Sequence, residues 1–243
     1  MTETIDYNEK ISALAYELKL PSFSKYGDII RPEAAFNENL AAIMSEEATR
    51  RKNNAVQRRI KQAGFPVRKS IDTFIHRLPH LSGDSVMELA SCKFITSKTN
   101  VCALGPSCTG KTHLMTAIAS EAIEKGFTVR FYRVNDLLIR LNEAKSEKRL
   151  DALYTALNKC SLLCLDELGY VSVNTKNAEM LFNVVASRHE IGSTYITSNY
   201  EFSKWPGFLG NQVMTAALIE KLTQNVVILN MNGEPYRQEK NIY

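Results

Sequence analysis

A chain of 243 residues has room for one sizeable domain, or for one domain with a small appendage. No apolar run approaches the ~18 residues of a membrane span. The start, with Glu3, Asp6 and Glu9, lacks a secretory pattern, so a cytoplasmic protein with no membrane partner is expected. The five cysteines are odd in number and form no C-x-x-C pair, and the four histidines lack ligand spacing, which argues against a disulfide framework or a zinc site.

The net charge of +4 is unevenly spread. Residues 1–65 read as a small helical domain. Its first helix runs from about Tyr7 to Leu18 and is ended by Pro21, and a long helix covers about 33–63. Between residues 46 and 69 eight basic side chains face only Glu46 and Glu47, so this segment carries +6 and the remainder −2. At about 100° per residue, Arg50, Arg51, Arg58 and Lys61 share one sector, and Arg59 is a further basic residue of the same segment. Ala48, Val56, Ile60 and Ala63 fall opposite as an apolar seam. Two readings stand side by side: a solvated helix face, or a surface for nucleic-acid phosphates. Residues 66–99, punctuated by Pro66, Pro79 and Gly83, read as a connector packing onto the next domain.

Asn100 to Leu104 is a short apolar strand. The eight residues after it, Gly105-Pro106-Ser107-Cys108-Thr109-Gly110-Lys111-Thr112, match G-x-x-x-x-G-K-[ST], the phosphate-binding P-loop. The glycines permit backbone conformations that let successive N–H groups point at one anion. In this motif the lysine reaches the β- and γ-phosphates, and the Thr112 hydroxyl binds Mg²⁺. A plain Gly-rich turn is the alternative. Against it, a helix follows from 112 to 125, ended by Gly126, and its N-terminus favours anions. Cys108 sits at a variable position and reads as filler rather than nucleophile. Phe127 to Tyr132 reads as the second strand.

Helical pattern continues over about 135–158, with a polar turn near Lys145, Lys148 and Arg149. Ser161 to Leu165 is then a buried strand carrying Asp166 and Glu167 at its C-terminal end, where ligands bind in open parallel sheets. Asp166 is placed to hold Mg²⁺. Glu167 is placed to orient and deprotonate a water. A helix over 175–190 leads to the strand 192–199. Its end offers Asn199, with Ser198 or Thr197 behind it, to a γ-phosphate or the lytic water, or else plain strand-end turn chemistry. A helix at 212–222 and a strand at 226–229 complete the pattern. Strands alternating with helices predict an α/β fold with a five-stranded, mostly parallel sheet.

Gly105 to His113, Leu165-Asp166-Glu167-Leu168-Gly169-Tyr170, Thr197-Ser198-Asn199 and Glu234-Pro235-Tyr236-Arg237 together resemble the IstB-type helper ATPases of insertion sequences. These are AAA+ proteins related to bacterial helicase loaders and to the initiator DnaA. The likeness is strongest over 100–237 and looser through the basic helix and Ala63-Gly64-Phe65-Pro66. It implies an all-helical N-terminal domain before an AAA+ ATPase domain spanning 66–243. It implies a bacterial, ATP- and Mg²⁺-dependent ATPase that oligomerises as a ring or helical array on double-stranded DNA and assists a transposase. It extends the nucleotide-contacting stretch to His113 and assigns Asn199 and Arg237 as sensors. It turns the basic helix toward DNA, together with Arg133, Lys145, Lys148 and Arg149.

One position departs from the family pattern. Relatives carry an arginine finger for the neighbouring subunit's ATP where this chain has Lys221, after Glu220. Lysine keeps the charge but loses the planar fork. Hydrolysis is then expected to be slow, or another cation, Arg188, takes the role. Two other readings are compatible with the same residues: a helicase loader acting in replication, and a nucleotide-gated DNA scaffold that hardly turns over.

Overall fold

The computed structural model describes residues 6–73 and 82–233. The chain divides into two compact units, residues 1–58 and 59–243.

In the first unit, helix α1 (Tyr7–Glu17) is N-capped by Asp6, whose carboxylate accepts from the Asn8 and Glu9 N–H groups. A single turn, α2 (Pro21–Ser24), starts on proline. Helix α3 (Phe36–Ala63) begins three residues later than the pattern predicted. The Asn39 side chain ties the preceding turn by accepting from the Arg31 N–H and donating to the Arg31 and Ala34 carbonyls. Of the expected apolar seam, Val56 and Ala63 are buried, Ile60 is half-buried and Ala48 is exposed. Ile43 and Glu47 are buried on the same helix.

The expected connector is itself partly helical. Helix α4 (Gly83–Ala90) is capped by Ser82, whose hydroxyl accepts from the Ser85 N–H. A short α5 (Lys93–Thr96) buries Phe94 and Ile95. The remaining elements are β1 (Asn100–Leu104), α6 (Lys111–Glu124), β2 (Val129–Arg133), α7 (Val134–Ser146), α8 (Leu150–Asn158), β3 (Leu162–Leu168), α9 (Thr175–Ser187), β4 (Ser193–Ser198), α10 (Trp205–Leu209), α11 (Gln212–Thr223) and β5 (Val226–Asn230). The predicted helical stretch 135–158 is two helices. Lys148 breaks it in a left-handed conformation (φ 56°), and the Arg149 N–H reaches back to the Ala144 carbonyl at 2.7 Å.

All five strands are parallel, in the order β2-β3-β4-β1-β5. Cys102, Leu104, Leu163, Leu165 and Ile196 project toward α7, α8, α9 and α11. The alternate residues Val101, Ala103, Leu162, Cys164 and Tyr195 are equally buried, and α6 packs across β2, β3 and β4. Strands buried on both faces favour near-continuous apolar runs, which β1 and β3 contain, whereas the equally buried β4 carries the hydroxyls of Ser193, Thr194, Thr197 and Ser198. Cys92, Cys102, Cys160 and Cys164 are buried and unbridged, and burial pushes the Cys102 thiol up to about 12. Among the described residues no His, Cys, Asp or Glu cluster could hold a metal on its own, and no helix is long and apolar enough to cross a membrane.

Candidate nucleotide site

The three neighbouring strands β3, β4 and β1 end on the same edge of the sheet. Between them they deliver the Asp166–Glu167 pair, Asn199 and the Gly-rich loop. The loop needs its first glycine. Gly105 has φ 153°, and a Cβ there would lie 2.6 Å from the Met231 carbonyl oxygen, which belongs to the residue whose N–H bonds the Leu104 carbonyl at 2.7 Å. Gly110, with φ 90°, precedes the first turn of α6. Fourteen residues of helix then direct the positive end of their dipole at the loop.

The Lys111 ammonium lies within the loop, donating to the Gly105 carbonyl at 2.7 Å and the Pro106 carbonyl at 2.5 Å. Burial pushes it down to about 8, against the opposing pull of Asp166 and Cys108. Thr112 donates to both oxygens of Asp166, at 2.9 and 3.0 Å. Asp166 is only 1% exposed. A hydroxyl beside a buried carboxylate is a hard-oxygen set suited to Mg²⁺, so these two residues could hold the metal of a bound nucleotide. Asn199 is exposed and donates its amide N–H to the Ser107 hydroxyl at 3.1 Å, across the mouth of the loop. Cys108 is exposed at φ 66°, on the loop's tip.

Asp166 and Glu167 sit in a β-bulge. Leu165 pairs with Ile196 and Leu168 with Ser198, so β3 carries one residue more than β4 across this step. A regular strand would send neighbouring side chains to opposite faces. Here Glu167 takes a left-handed backbone (φ 63°), which costs an ordinary side chain roughly 1–2 kcal/mol. Such outliers gather at functional sites. The Glu167 N–H is accepted by the Thr197 hydroxyl at 2.9 Å, and that hydroxyl donates to Asp166 Oδ1 at 2.5 Å. Ser198 donates to the Leu168 carbonyl at 2.7 Å and accepts from the Tyr200 N–H at 3.2 Å. Both hydroxyls behind Asn199 are therefore engaged inside the protein, and neither is left for a γ-phosphate as the sequence suggested. The signal for this was present: a hydroxyl on a fully buried strand must find a partner.

Some of the other expected residues have partners within the protein. Arg133, expected on a nucleic-acid surface, directs Nε to the Glu167 carboxylate at 3.5 Å. Arg149 pairs with Glu147, and Lys145, Lys148 and Arg149 are all exposed. His113 is half-buried. Burial lowers its imidazole pKa, against a hydrogen bond with the Ser70 backbone. Arg50 and Arg51 do not stand free on α3. They hold the Glu47 carboxylate at 2.9 and 2.7 Å, and Arg51 also donates to the Lys19 carbonyl at 3.0 Å. Glu47, 5% exposed, accepts from the Ser22 N–H as well. The Arg50 hydrogen bond leads in holding its pKa down at about 2, helped by Arg51 and Ser22 and opposed by burial. Arg58 and Lys61 are exposed and Arg59 is half-buried.

Arg188 is no candidate for a finger. It is 1% exposed, and its guanidinium donates to the Leu157, Cys160 and Ser193 carbonyls and to Thr194. Lys221 is half-buried on α11 and borders a cavity of about 340 Å³ with Lys98, Asn100, His189 and Asn225. That cavity opens where β1, β4 and β5 begin, at the opposite end of the sheet from the loop. Arg237 and the rest of Glu234-Pro235-Tyr236-Arg237 lie outside the described residues, as do His76 and His80.

Relatives match along nearly the whole chain. An insertion sequence IS5376 putative ATP-binding protein of Geobacillus stearothermophilus is 32% identical, covering 94% of each chain. An insertion sequence IS21 putative ATP-binding protein of Pseudomonas aeruginosa is 31% identical, covering 94% of this chain and 88% of its own. Among solved structures, DnaI superposes with a TM-score of 0.57 at 18% identity, over 67% of this chain and 90% of that one. DnaA bound to AMPPCP and single-stranded DNA gives 0.54 at 17% identity, over 68% and 49%. At these identities the structural likeness shows the fold alone, that of an AAA+ core over about two thirds of the chain; helices α1 to α3 precede it in sequence. Residues 21–242 match the family of IstB-like ATP binding proteins, and the chain, with its ATP-binding role, belongs to that family.

Proposed function

We propose that this protein is a Mg²⁺-dependent ATPase that assembles on double-stranded DNA and assists the transposase of an insertion sequence. The observation that carries the reading is the convergence of Lys111, Thr112, Asp166, Glu167 and Asn199 at the ends of three adjacent strands, with Glu167 in a strained conformation. The relatives' names, which place them in insertion sequences, supply the setting.

Bound ATP with Mg²⁺ supplies the scissile bond between the γ-phosphorus and its bridging oxygen. The loop N–H groups and Lys111 would hold the phosphates. Thr112 and Asp166 would hold the metal. Glu167 would accept a proton from water as the water oxygen attacks the γ-phosphorus, releasing phosphate and ADP. Asn199 would position the γ-phosphate or the water from the loop side.

Lys221 sits at the far end of strands about 16 Å long, so within one chain it cannot reach the phosphates. It would serve the ATP of a neighbouring copy, in a head-to-tail ring or helical array. A lysine there stabilises charge without the bidentate fork, so turnover is slow and ATP acts chiefly as part of the interface. DNA contacts fall to the exposed cations Arg58, Lys61, Lys145 and Lys148, through phosphates and without base readout. Electron microscopy of the protein with duplex DNA tests this reading: ordered arrays with ATP and none without it support it. Assembly indifferent to ATP would contradict it.

A further inference from the structure

We propose that Thr197 is a positioning residue for hydrolysis, holding the metal-binding carboxylate of Asp166 and the water-activating Glu167 in one geometry. The proposal rests on the hydrolytic reading above and adds to it a residue outside both phosphate motifs.

At the bulge, β3 presents one residue too many to β4, and the regular ladder is interrupted between Leu165 and Leu168. Thr197 stands opposite this interruption. It is 1% exposed, and its hydroxyl makes two contacts of opposite sense. It accepts the Glu167 N–H at 2.9 Å, the group that the left-handed turn leaves without a ladder partner, and it donates to Asp166 Oδ1 at 2.5 Å. A hydroxyl carries one proton, so donation to Asp166 fixes the orientation of the lone pairs that receive Glu167. The carboxylate that would hold the metal and the backbone that would aim the base therefore share one partner atom, the Thr197 hydroxyl oxygen. Movement of either shifts the other.

The same oxygen of Asp166 also receives Thr112, from the first turn of α6. Asp166 is thus held from the loop side by Thr112 and from the sheet side by Thr197. If Thr112 turns a lone pair to Mg²⁺, Thr197 is the contact that keeps Asp166 from following. Three consecutive residues at the end of β4 and just beyond it divide the work: Thr197 holds the bulge, Ser198 ties the Leu168 carbonyl, and Asn199 reaches the loop. A valine keeps the shape of Thr197 and removes both bonds.

The test compares Thr197→Val, Thr197→Ser and wild type by two separate readouts. One is the Mg²⁺ concentration that half-saturates binding of a fluorescent ATP analogue. The other is the turnover number at saturating ATP. A hydrogen bond to a charged group predicts that Thr197→Val lowers turnover about 10- to 100-fold and raises the Mg²⁺ requirement severalfold. Thr197→Ser restores both to within about threefold. Melting curves identify a temperature at which all three are folded. Should Thr197→Val be insoluble, Thr197→Cys, a weak donor of similar volume, replaces it. Wild-type turnover and Mg²⁺ requirement in the folded variant, with only a lower melting point, would reduce Thr197 to a structural hydroxyl and overturn the proposal. Glu167→Gln, run alongside, separates the two ideas. Unchanged turnover in that variant would overturn the hydrolytic reading, while the Mg²⁺ shift still decides Thr197.

Discussion

Two regions of this protein use their polar side chains in opposite ways. At the ends of β1, β3 and β4, polar groups from distant parts of the chain converge, and Glu167 and Asn199 remain exposed. On α3 the arginines Arg50 and Arg51 turn back onto the protein's own buried carboxylate, Glu47. Strand ends have their direction fixed by the sheet, so a motif there reports its function through the backbone. A long side chain on a helix has a wide reach, and its partner is decided by what lies within that reach. Charge at a strand end is therefore a better guide to ligand binding than charge along a helix.

The comparison breaks first at Lys111. Lys111→Ala should weaken ATP binding about a hundredfold or more, because it removes the one cation inside the loop. Near-normal affinity in a fluorescent-nucleotide titration would show that the loop amides suffice.

The pH dependence of binding follows from the same side chain. Burial leaves the free protein's ammonium at about 8. The phosphates favour its charged form, so affinity is constant below that value and falls as pH rises through it. ATP binding should weaken roughly eightfold between about pH 7.5 and about pH 9. A flat profile would mean that Lys111 keeps its proton without ATP.

Arg133→Ala sharpens the boundary between site and surface. Its ion pair with Glu167 is half-exposed, and such pairs contribute little. The variant should raise turnover by less than about fivefold as the carboxylate is freed, and leave the salt dependence of DNA binding unchanged. A smaller salt slope would return Arg133 to the nucleic-acid surface.

Glu47→Ala tests the other region. It strips Arg50, Arg51 and the Ser22 N–H of their shared acceptor, and should lower the melting point of the N-terminal unit by about 5 °C. In the intact protein the pKa of Glu47 is depressed, so its contribution is complete above pH 4.5 and drains away as pH falls toward about 2. Far-ultraviolet circular dichroism of wild type and variant across that range checks the sign: only the wild type should lose stability through this group.

The α/β fold and the nucleotide site were legible because their signals are local. Gly105 to Thr112, the apolar run before Asp166 and the alternation of strands with helices each depend on neighbours in sequence. The break at Lys148 carried no glycine to announce it. The late start of α3 depends on Asn39 bonding back to Arg31 and Ala34. What lay out of reach were pairings across the chain: Thr197 with Asp166, Arg133 with Glu167, and Arg188 with three buried carbonyls. A lone arginine after a helix reads as a surface cation until the loop that buries it is known. The bulge that makes Asp166 and Glu167 neighbours in function is likewise a matter of register between two strands.

Phosphate release by the wild type and by Glu167→Gln, at saturating ATP and Mg²⁺ with duplex DNA present, tests the central claim most directly. Slow but measurable turnover in the wild type, reduced about a hundredfold or more in the variant while ATP binding persists, is the result predicted. Equal rates in the two proteins would contradict the assignment of Glu167 and with it the hydrolytic role of the site.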